Sequence, residues 1–225
     1  MRQKQRLFFF LFSIISLIEI LHIILGREDL RIFTKPLIIP LLALTYYFST
    51  EKRPALFKDA VLLGLTFSWF GDVLLQKESL FVPGLVCFLT AHVFYIFFFV
   101  RTRSNNRSYF KLRPVMLIAV LAYLIEFMYL LWPSLGAMKI PVLLYGITIS
   151  TMLSAAIWQY QKLDDKTSLY LIIGAALFVT SDSILAINKF SSPFSSAGIL
   201  IMTTYILAQL FITLGAIRYR NTIPS

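Results

Sequence analysis

The sequence predicts an all-α membrane protein with eight transmembrane helices, arranged as two parallel four-helix repeats with both termini in the cytoplasm. Apolar runs recur along all 225 residues, of which 58% are hydrophobic and only 14% are charged. Soluble domains average about 25% charged residues. Basic residues are concentrated in alternate loops between the runs. An aspartate within an apolar run occurs twice, in SWFGDVLLQ (68–76) and VTSDSILAI (179–187).

The first four predicted spans cover residues 7–25, 35–49, 57–75 and 80–100. The first follows a basic start, as a signal peptide does, but its apolar run is nearly long enough to cross a bilayer. Because no small-residue cleavage site follows, we interpret it as a retained helix. Lys35 and Pro36 are predicted to begin the second span, since proline suits the first turn of a helix. The third contains Asp72, and the fourth contains His92.

The last four predicted spans cover residues 112–132, 140–159, 168–187 and 196–217. Polar residues in or beside them are Glu126, Tyr145, Asp182, Asn188, Tyr205 and Gln209. Asn188 directly follows the seventh span, where we predict a helix C-cap. The single cysteine, Cys87, excludes an internal disulfide.

The distribution of basic residues predicts the orientation. With the N-terminus in the cytoplasm, the cytoplasmic segments contain 15 of the 21 lysines and arginines. This agrees with the positive-inside rule and places both termini in the cytoplasm. A bacterial cytoplasmic membrane is the expected location. The net charge of +10 is thereby explained by topology, and no nucleic acid partner is implied.

Two halves of the chain share a pattern. GLTFSWFGDVLL (64–75) aligns without gaps on GAALFVTSDSIL (174–185), KPLIIP opens the second span and KIP the sixth, and polar residues recur in the remaining pairs of spans. We predict one domain, 1–225, with repeats at about 1–100 and 112–220. Because each repeat has an even number of spans, the repeats are parallel.

The charged groups within the spans are expected to face an inner polar cavity that opens on the non-cytoplasmic side, because a charge at membrane depth costs roughly 2.5–3.5 kcal/mol. These groups are Glu19, Lys35, Asp72, Glu126 and Asp182. Structural roles are the alternatives. Glu19 and Glu126 could bond the polar residue three positions on, Lys35 could extend to the interface, and the histidine, tyrosines and glutamine could join helices.

Several chemistries are excluded. Two histidines are too few for a three-histidine zinc hydrolase. The sequence also has no GxSxG motif, P-loop or dinucleotide-binding fingerprint. Paired carboxylates therefore remain as the candidate chemistry.

Six stretches carry a resemblance: TKPLIIPLL, GLTFSWFGDVLL, AHVFYIF, LYGITISTM, GAALFVTSDSILA and TYILAQLFI. Together they resemble the YhhN-like family of membrane lysoplasmalogenases, over almost the whole chain. The resemblance implies an eight-helix enzyme, with no metal or organic cofactor, that hydrolyses the vinyl ether bond of lysoplasmalogens. The products would be a fatty aldehyde and glycerophosphoethanolamine or glycerophosphocholine. Its partners would be this lysophospholipid substrate and membrane lipid.

The resemblance also implies that Asp72 and Asp182 are the catalytic pair. The residues it implies in the substrate pocket are Lys35, His92, Tyr145, Tyr205 and Gln209. Glu19, Glu126 and Asn188 are further candidates for substrate binding.

Vinyl ether hydrolysis begins with protonation of the alkene carbon, which a carboxylic acid can perform. A second carboxylate can stabilise the resulting oxocarbenium ion and activate water. The aromatic neighbours of Asp72 make it the expected acid. The hydroxyls of Thr180 and Ser181 make Asp182 the expected base. Lys35 is expected to bind the substrate phosphate.

Two other classes of protein fit the paired acids. A proton-coupled transporter would also use acids near a cavity between parallel repeats. An intramembrane aspartyl protease uses two aspartates on neighbouring spans, but it usually has a GxGD motif, whereas Trp69 precedes Asp72 by three positions.

Overall fold

The computed structural model describes residues 3–50, 54, 58–102, 113–160 and 163–222. The described residues form eight α-helices, each on one predicted span: α1 Gln3–Ile24, α2 Glu28–Ser49, α3 Ala60–Leu74, α4 Phe81–Arg101, α5 Arg113–Leu131, α6 Lys139–Trp158, α7 Asp165–Phe190 and α8 Ala197–Thr222. Short 3₁₀ helices lie at Glu78–Leu80, Trp132–Ser134 and Gly136–Met138.

Seven of the described helical segments are long and apolar enough to cross a membrane, and α3 is a shorter apolar helix of 15 residues. Large apolar side chains such as Leu17, Phe33 and Val115 are exposed on the outside of the bundle. Hydrocarbon is the solvent that suits such a surface, because helices satisfy their own backbone hydrogen bonds. The chain is therefore an all-α, multi-pass integral membrane protein.

The prediction that α2 begins at Lys35 is wrong. The helix begins at Glu28, and Pro36 and Pro40 lie inside it. Pro40 has no N–H to bond the carbonyl of Pro36. The Trp69 indole of α3 donates to that carbonyl at 2.9 Å instead, so the proline is tolerated and α2 is fastened to α3.

Adjacent helices pair along the chain, as α1 with α2, α3 with α4, α5 with α6, and α7 with α8. Two glycines of the repeated motif permit the second and fourth pairings. A Cβ on Gly64 would lie 2.5 Å from the Tyr95 ring, and one on Gly174 would lie 2.8 Å from the backbone nitrogen of Ile212. The helices that carry Asp72 and Asp182 are thereby packed closely against α4 and α8.

Both of these helices begin with an aspartate cap. Asp59 accepts hydrogen bonds from the backbone amides of Val61 and Leu62 at the start of α3, and it also pairs with Arg220 of α8. Asp164 accepts from the amide and hydroxyl of Thr167 at the start of α7. These caps lie at the end of α3 and α7 that is remote from the two aspartates within the spans.

Candidate active site

One cavity of about 350 Å³ opens at the end of the bundle where α3 and α7 finish. Asp72 and Asp182 both line it. Its other lining residues are Arg31, Lys35, Leu75, Gln76, Glu78, Phe81, Phe88, Ser181, Leu185, Lys189, Gly198, Ile201, Met202 and Tyr205. Charged groups of both signs therefore share this space with an apolar wall.

Asp72 is 2% exposed and lies close to a cation. The Tyr205 hydroxyl of α8 donates to its Oδ2 at 2.6 Å. The Nζ of Lys35, from α2, lies 3.6 Å from its Oδ1. A carboxylate beside an ammonium is stabilised by Coulomb attraction, more strongly away from water. Burial opposes the charge on Asp72, but these two contacts favour its ionised form.

Asp182 has a different set of neighbours. The Tyr145 hydroxyl of α6 donates to its Oδ2 at 2.9 Å. The Nε2 of His92, from α4, lies 3.6 Å from the same oxygen. The His92 ring is fully buried and packs edge-on against Phe178, with ring centroids 4.5 Å apart. No lysine or arginine among the described residues forms an ion pair with Asp182, so its surroundings suit a neutral carboxylic acid.

The neighbours of the two aspartates correspond between the halves. Lys35 and Tyr145 are separated by the same number of residues as Asp72 and Asp182, and each contacts the aspartate of its own half. The second partner comes from the other half in both cases, from α8 for Asp72 and from α4 for Asp182. Lys35 therefore corresponds to Tyr145, whereas the comparison of KPLIIP with KIP pairs it with Lys139.

Gln209 lies behind the cavity rather than on its wall. Its Oε1 accepts from the Tyr95 hydroxyl at 2.7 Å, and its Nε2 donates to Ser68 Oγ at 2.9 Å. All three side chains are buried. Gln209 thus joins α3, α4 and α8 one helical turn away from Asp72 and Tyr205, on the side remote from the cavity.

Glu19 is fully buried, but it does not bond His22 and does not line the cavity. It accepts from Arg31 Nε at 2.9 Å and from the Thr34 hydroxyl at 2.6 Å. The alternative of a bond along α1 is not realised either, because α2 begins early enough to bring Arg31 and Thr34 against Glu19. Glu19 instead orients Arg31, which lines the cavity.

Two further candidates lie outside the cavity. Glu126 is at an exposed position of α5, which contradicts the prediction that it faces the interior. Helix α5 packs mainly on α6 and leaves most of its surface outward.

Asn188 is inside α7, whose C-cap is Ser191, so the predicted cap is wrong by three positions. Its Oδ1 accepts from the backbone amide of Phe194 and orders the turn into α8.

The hydroxyls expected to ionise Asp182 bond elsewhere. Ser181 donates to the carbonyl of Ile201 at 3.0 Å, and Thr180 donates to the carbonyl of Ala176 at 3.0 Å. Within an apolar helix the nearest backbone carbonyl is a ready acceptor for such hydroxyls. The reason for expecting Asp182 to be the base is therefore removed.

The sequence reasoning missed the charged rim of the cavity, which contains Arg31, Glu78 and Lys189. Because these residues lie at or beyond the predicted ends of spans, the sequence pattern alone indicates ordinary loop charges. In the described part of the chain, no three histidine, cysteine or acidic side chains are grouped so as to hold a metal ion. The polar groups that remain available at the site are carboxyls, hydroxyls, an imidazole and cationic side chains.

Comparison with known proteins identifies relatives of the chain. The chain is similar to the human lysoplasmalogenase TMEM86B, with 34% identity over 155 residues, 68% of this chain and 62% of that protein. It is similar to human lysoplasmalogenase TMEM86A, with 33% identity over 178 residues, 72% of this chain and 67% of that protein. A Mycobacterium tuberculosis lysoplasmalogenase is 29% identical over 161 residues, 69% of this chain and 58% of that protein.

The similarity to TMEM86B thus spans less than two thirds of that protein's length. No solved structure matches the chain significantly. Residues 30–216, which include both aspartates and all four side chains that contact them, match the YhhN family. This chain therefore belongs to the YhhN family.

Proposed function

We propose that the chain hydrolyses the vinyl ether bond of lysoplasmalogens, releasing a fatty aldehyde and a glycerophospho-headgroup. The observation that carries the proposal is that Asp72 and Asp182 line one cavity in unlike surroundings. Pairs of titratable groups whose environments differ are typical of acid and base partners. The relatives named lysoplasmalogenase supply the substrate class.

The surroundings support the reverse of the roles expected from sequence. Asp72 faces the Lys35 ammonium and serves as the carboxylate base. Asp182 faces a tyrosine hydroxyl and a buried imidazole and serves as the proton donor. A donor must be held neutral until substrate arrives, and the Asp182 site offers no strong cation to ionise it.

The proposed reaction has two steps, hydration of the double bond and breakdown of the resulting hemiacetal. Asp182 protonates the alkene carbon next to the ether-bearing carbon, which leaves an oxocarbenium ion. Asp72 takes a proton from water as the water adds to that ion and forms a hemiacetal. In the second step the Asp182 carboxylate removes the hemiacetal hydroxyl proton, the C–O bond to glycerol breaks, and Asp72 returns its proton to the glycerol oxygen. Both carboxyl groups are restored, and one water is consumed.

The cavity wall suits the two ends of such a substrate. The Lys35 side chain is 13% exposed, and its ammonium lies 3.6 Å from Asp72 Oδ1. This ammonium can therefore also donate a hydrogen bond to a phosphate. Arg31, held by Glu19, lies on the same side. Phe88, Ile201 and Met202 provide apolar surface for the alkenyl chain. In this proposal the headgroup of the substrate lies at the rim of the cavity and its alkenyl chain lies in the interior.

We also infer that all eight helices cross the membrane, as two parallel repeats with both termini in the cytoplasm of a bacterial cell. The cavity would then open on the non-cytoplasmic face. The corresponding positions of Lys35 and Tyr145 support the repeats, and the basic residues support the orientation. Helix α3, about 22 Å long at 1.5 Å per residue, is short for a span, but it lies beside α2 and α4 in the bundle.

The direct test is to purify the protein in detergent, supply lysoplasmalogen, and measure fatty aldehyde release. We expect activity in the wild type and a loss of about 100- to 10,000-fold in kcat for Asp72→Asn and for Asp182→Asn, the range for loss of a general acid or base. Glu126→Gln removes an exposed acid and serves as the matched control, with unchanged rates.

Wild-type protein without aldehyde release on either headgroup would contradict the proposal. Full activity in either asparagine variant would contradict the assigned pair. Proton-coupled transport is not favoured, because the named relatives are hydrolases. Substrate uptake into proteoliposomes without product would bring transport back.

A further inference from the structure

The rim of the cavity contains a cation seated between a carboxylate and an aromatic ring. The Lys189 ammonium of α7 lies 2.6 Å from Glu78 Oε1 and 5.2 Å from the centroid of the Phe81 ring. Phe190 packs edge-on against Phe81, with ring centroids 5.8 Å apart. Glu78, Phe81 and Lys189 line the same cavity as the two aspartates.

These contacts are the ones that a substituted ammonium makes with a protein. A cation over an aromatic face is attracted by the negative potential of the ring, and choline-type groups are recognised in this way. A carboxylate on the other side adds charge complementarity. The Lys189 ammonium therefore occupies a position, between Glu78 and Phe81, that could equally bind an ammonium group of another molecule.

The ion pair is easily exchanged. The side chains of Lys189 and Glu78 are 34% and 86% exposed, and ion pairs this exposed contribute little to stability. A ligand that brings its own cation can take the place of Lys189 at small cost. Lys189 is then free to pair with an anion within the cavity, where Arg31 and Lys35 also lie.

We propose that Glu78 and Phe81 form the subsite for the ammonium of a zwitterionic headgroup, and that Lys189 exchanges its pairing from Glu78 to the phosphate when the substrate binds. This rests on the proposed function and specifies its substrate class. Two ion pairs, of the ammonium with Glu78 and of Lys189 with the phosphate, replace the one between Lys189 and Glu78. Because the headgroup is a zwitterion, the net charge at the rim is unchanged. An anionic headgroup without an ammonium would leave Glu78 unpaired and would bind less well.

The test uses 1-O-alkyl lysophospholipids, which lack the vinyl ether and are not substrates for its hydrolysis. The dissociation constant is measured in detergent for one lipid with a phosphocholine headgroup and one with a bare phosphate. We expect wild type to bind the phosphocholine lipid more tightly. Glu78→Gln and Phe81→Leu should each raise its dissociation constant about 3- to 5-fold, equivalent to about 0.7–1 kcal/mol, the range for an exposed cation–aromatic contact or ion pair, and change that of the phosphate lipid less than about 2-fold.

Asp29→Asn is the matched control. Asp29 is also exposed and paired with a basic residue, Arg27, at this end of the bundle, but it does not line the cavity. Its loss should alter neither constant. The inference would be overturned if Glu78→Gln changed the dissociation constants of both lipids equally or changed neither. It would also be overturned if the wild type bound neither lipid. Because no turnover is required, a protein without aldehyde release but with this headgroup preference would separate failure of the proposed function from failure of the subsite.

Discussion

The Tyr205 hydroxyl and the Tyr145 hydroxyl make similar hydrogen bonds, at 2.6 Å to Asp72 and 2.9 Å to Asp182. Their energetic value depends on the charge of the acceptor. A hydrogen bond to a charged group contributes about 1.5–3 kcal/mol, whereas one between neutral groups contributes about 0.5–1.5 kcal/mol. The two tyrosines can therefore report which aspartate is ionised.

We expect Tyr205→Phe to destabilise the folded protein by about 1.5–3 kcal/mol and Tyr145→Phe by about 0.5–1.5 kcal/mol, because only the first hydrogen bond has an ionised acceptor. The measurement is unfolding of each purified variant in detergent, since both tyrosines are buried in the folded protein. The opposite order would return the roles to Asp72 as the acid and Asp182 as the base.

Individual residues also mark the limit of sequence reasoning. Asp72 and Asp182 were identifiable because an acid in an apolar run has few structural explanations. Arg31 and Lys189 were not, because a basic residue at the end of a span is usually a loop charge. Which tyrosine contacts which aspartate depends on helix packing, within the second half for Tyr145 and between the halves for Tyr205, and no local pattern encodes it.

At the scale of the helix, the caps of α3 and α7 differ in burial although both are aspartates. The Asp59 side chain is 1% exposed and also pairs with Arg220, whereas the Asp164 side chain is 42% exposed. Burial acts to raise the pKa of Asp164, but hydrogen bonds from the Thr167 hydroxyl and amide, with Arg218, hold that pKa below its ordinary value.

We expect Asp59→Ala to destabilise the protein by about 3 kcal/mol or more, because it also removes the partner of Arg220. Asp164→Ala should cost about 1 kcal/mol, the usual value of an N-cap. The measurement is thermal or denaturant unfolding in detergent, with Asp165→Ala as the control, since Asp165 is not the cap residue. Equal losses for the two caps would contradict the role of burial.

The Asp164 contribution has a defined pH dependence. Its folded pKa is depressed, so the stabilisation is fully present above the unfolded pKa of about 3.9 and is lost as the pH falls through the folded value. The difference between wild type and Asp164→Ala should therefore shrink below about pH 4.

Helices were predictable where hydropathy is local and continuous. For seven of the eight predicted spans, the predicted start lies within five residues of the start of the corresponding helix. Helix α2, in contrast, begins seven residues before the predicted start of its span. Its prolines looked like a helix entry because nothing in the sequence shows that Trp69 will satisfy the freed carbonyl. Glu19 and Glu126 looked equivalent, but α1 also packs on α8, whereas α5 packs mainly on α6.

For the molecule as a whole, the number of crossings depends on α3. In a Cys87→Ala background, single cysteines at Lys58 and Lys77 lie just beyond its two ends. If all eight helices cross, a membrane-impermeant maleimide should label Lys77→Cys in intact cells and Lys58→Cys only after permeabilisation. Labelling of both from the same side would show that α3 does not cross. Arg27→Cys, in the loop between α1 and α2, is the control for the outer face.

Each aspartate takes one partner from its own half and another from the opposite half. An ancestral four-helix chain would have held only part of such a site and would have completed it by pairing with a second copy, giving two identical aspartates. Duplication and fusion would have allowed corresponding positions to diverge, to lysine at 35 and tyrosine at 145. If the proposed roles hold, broken symmetry would be the origin of the division between proton donor and proton acceptor.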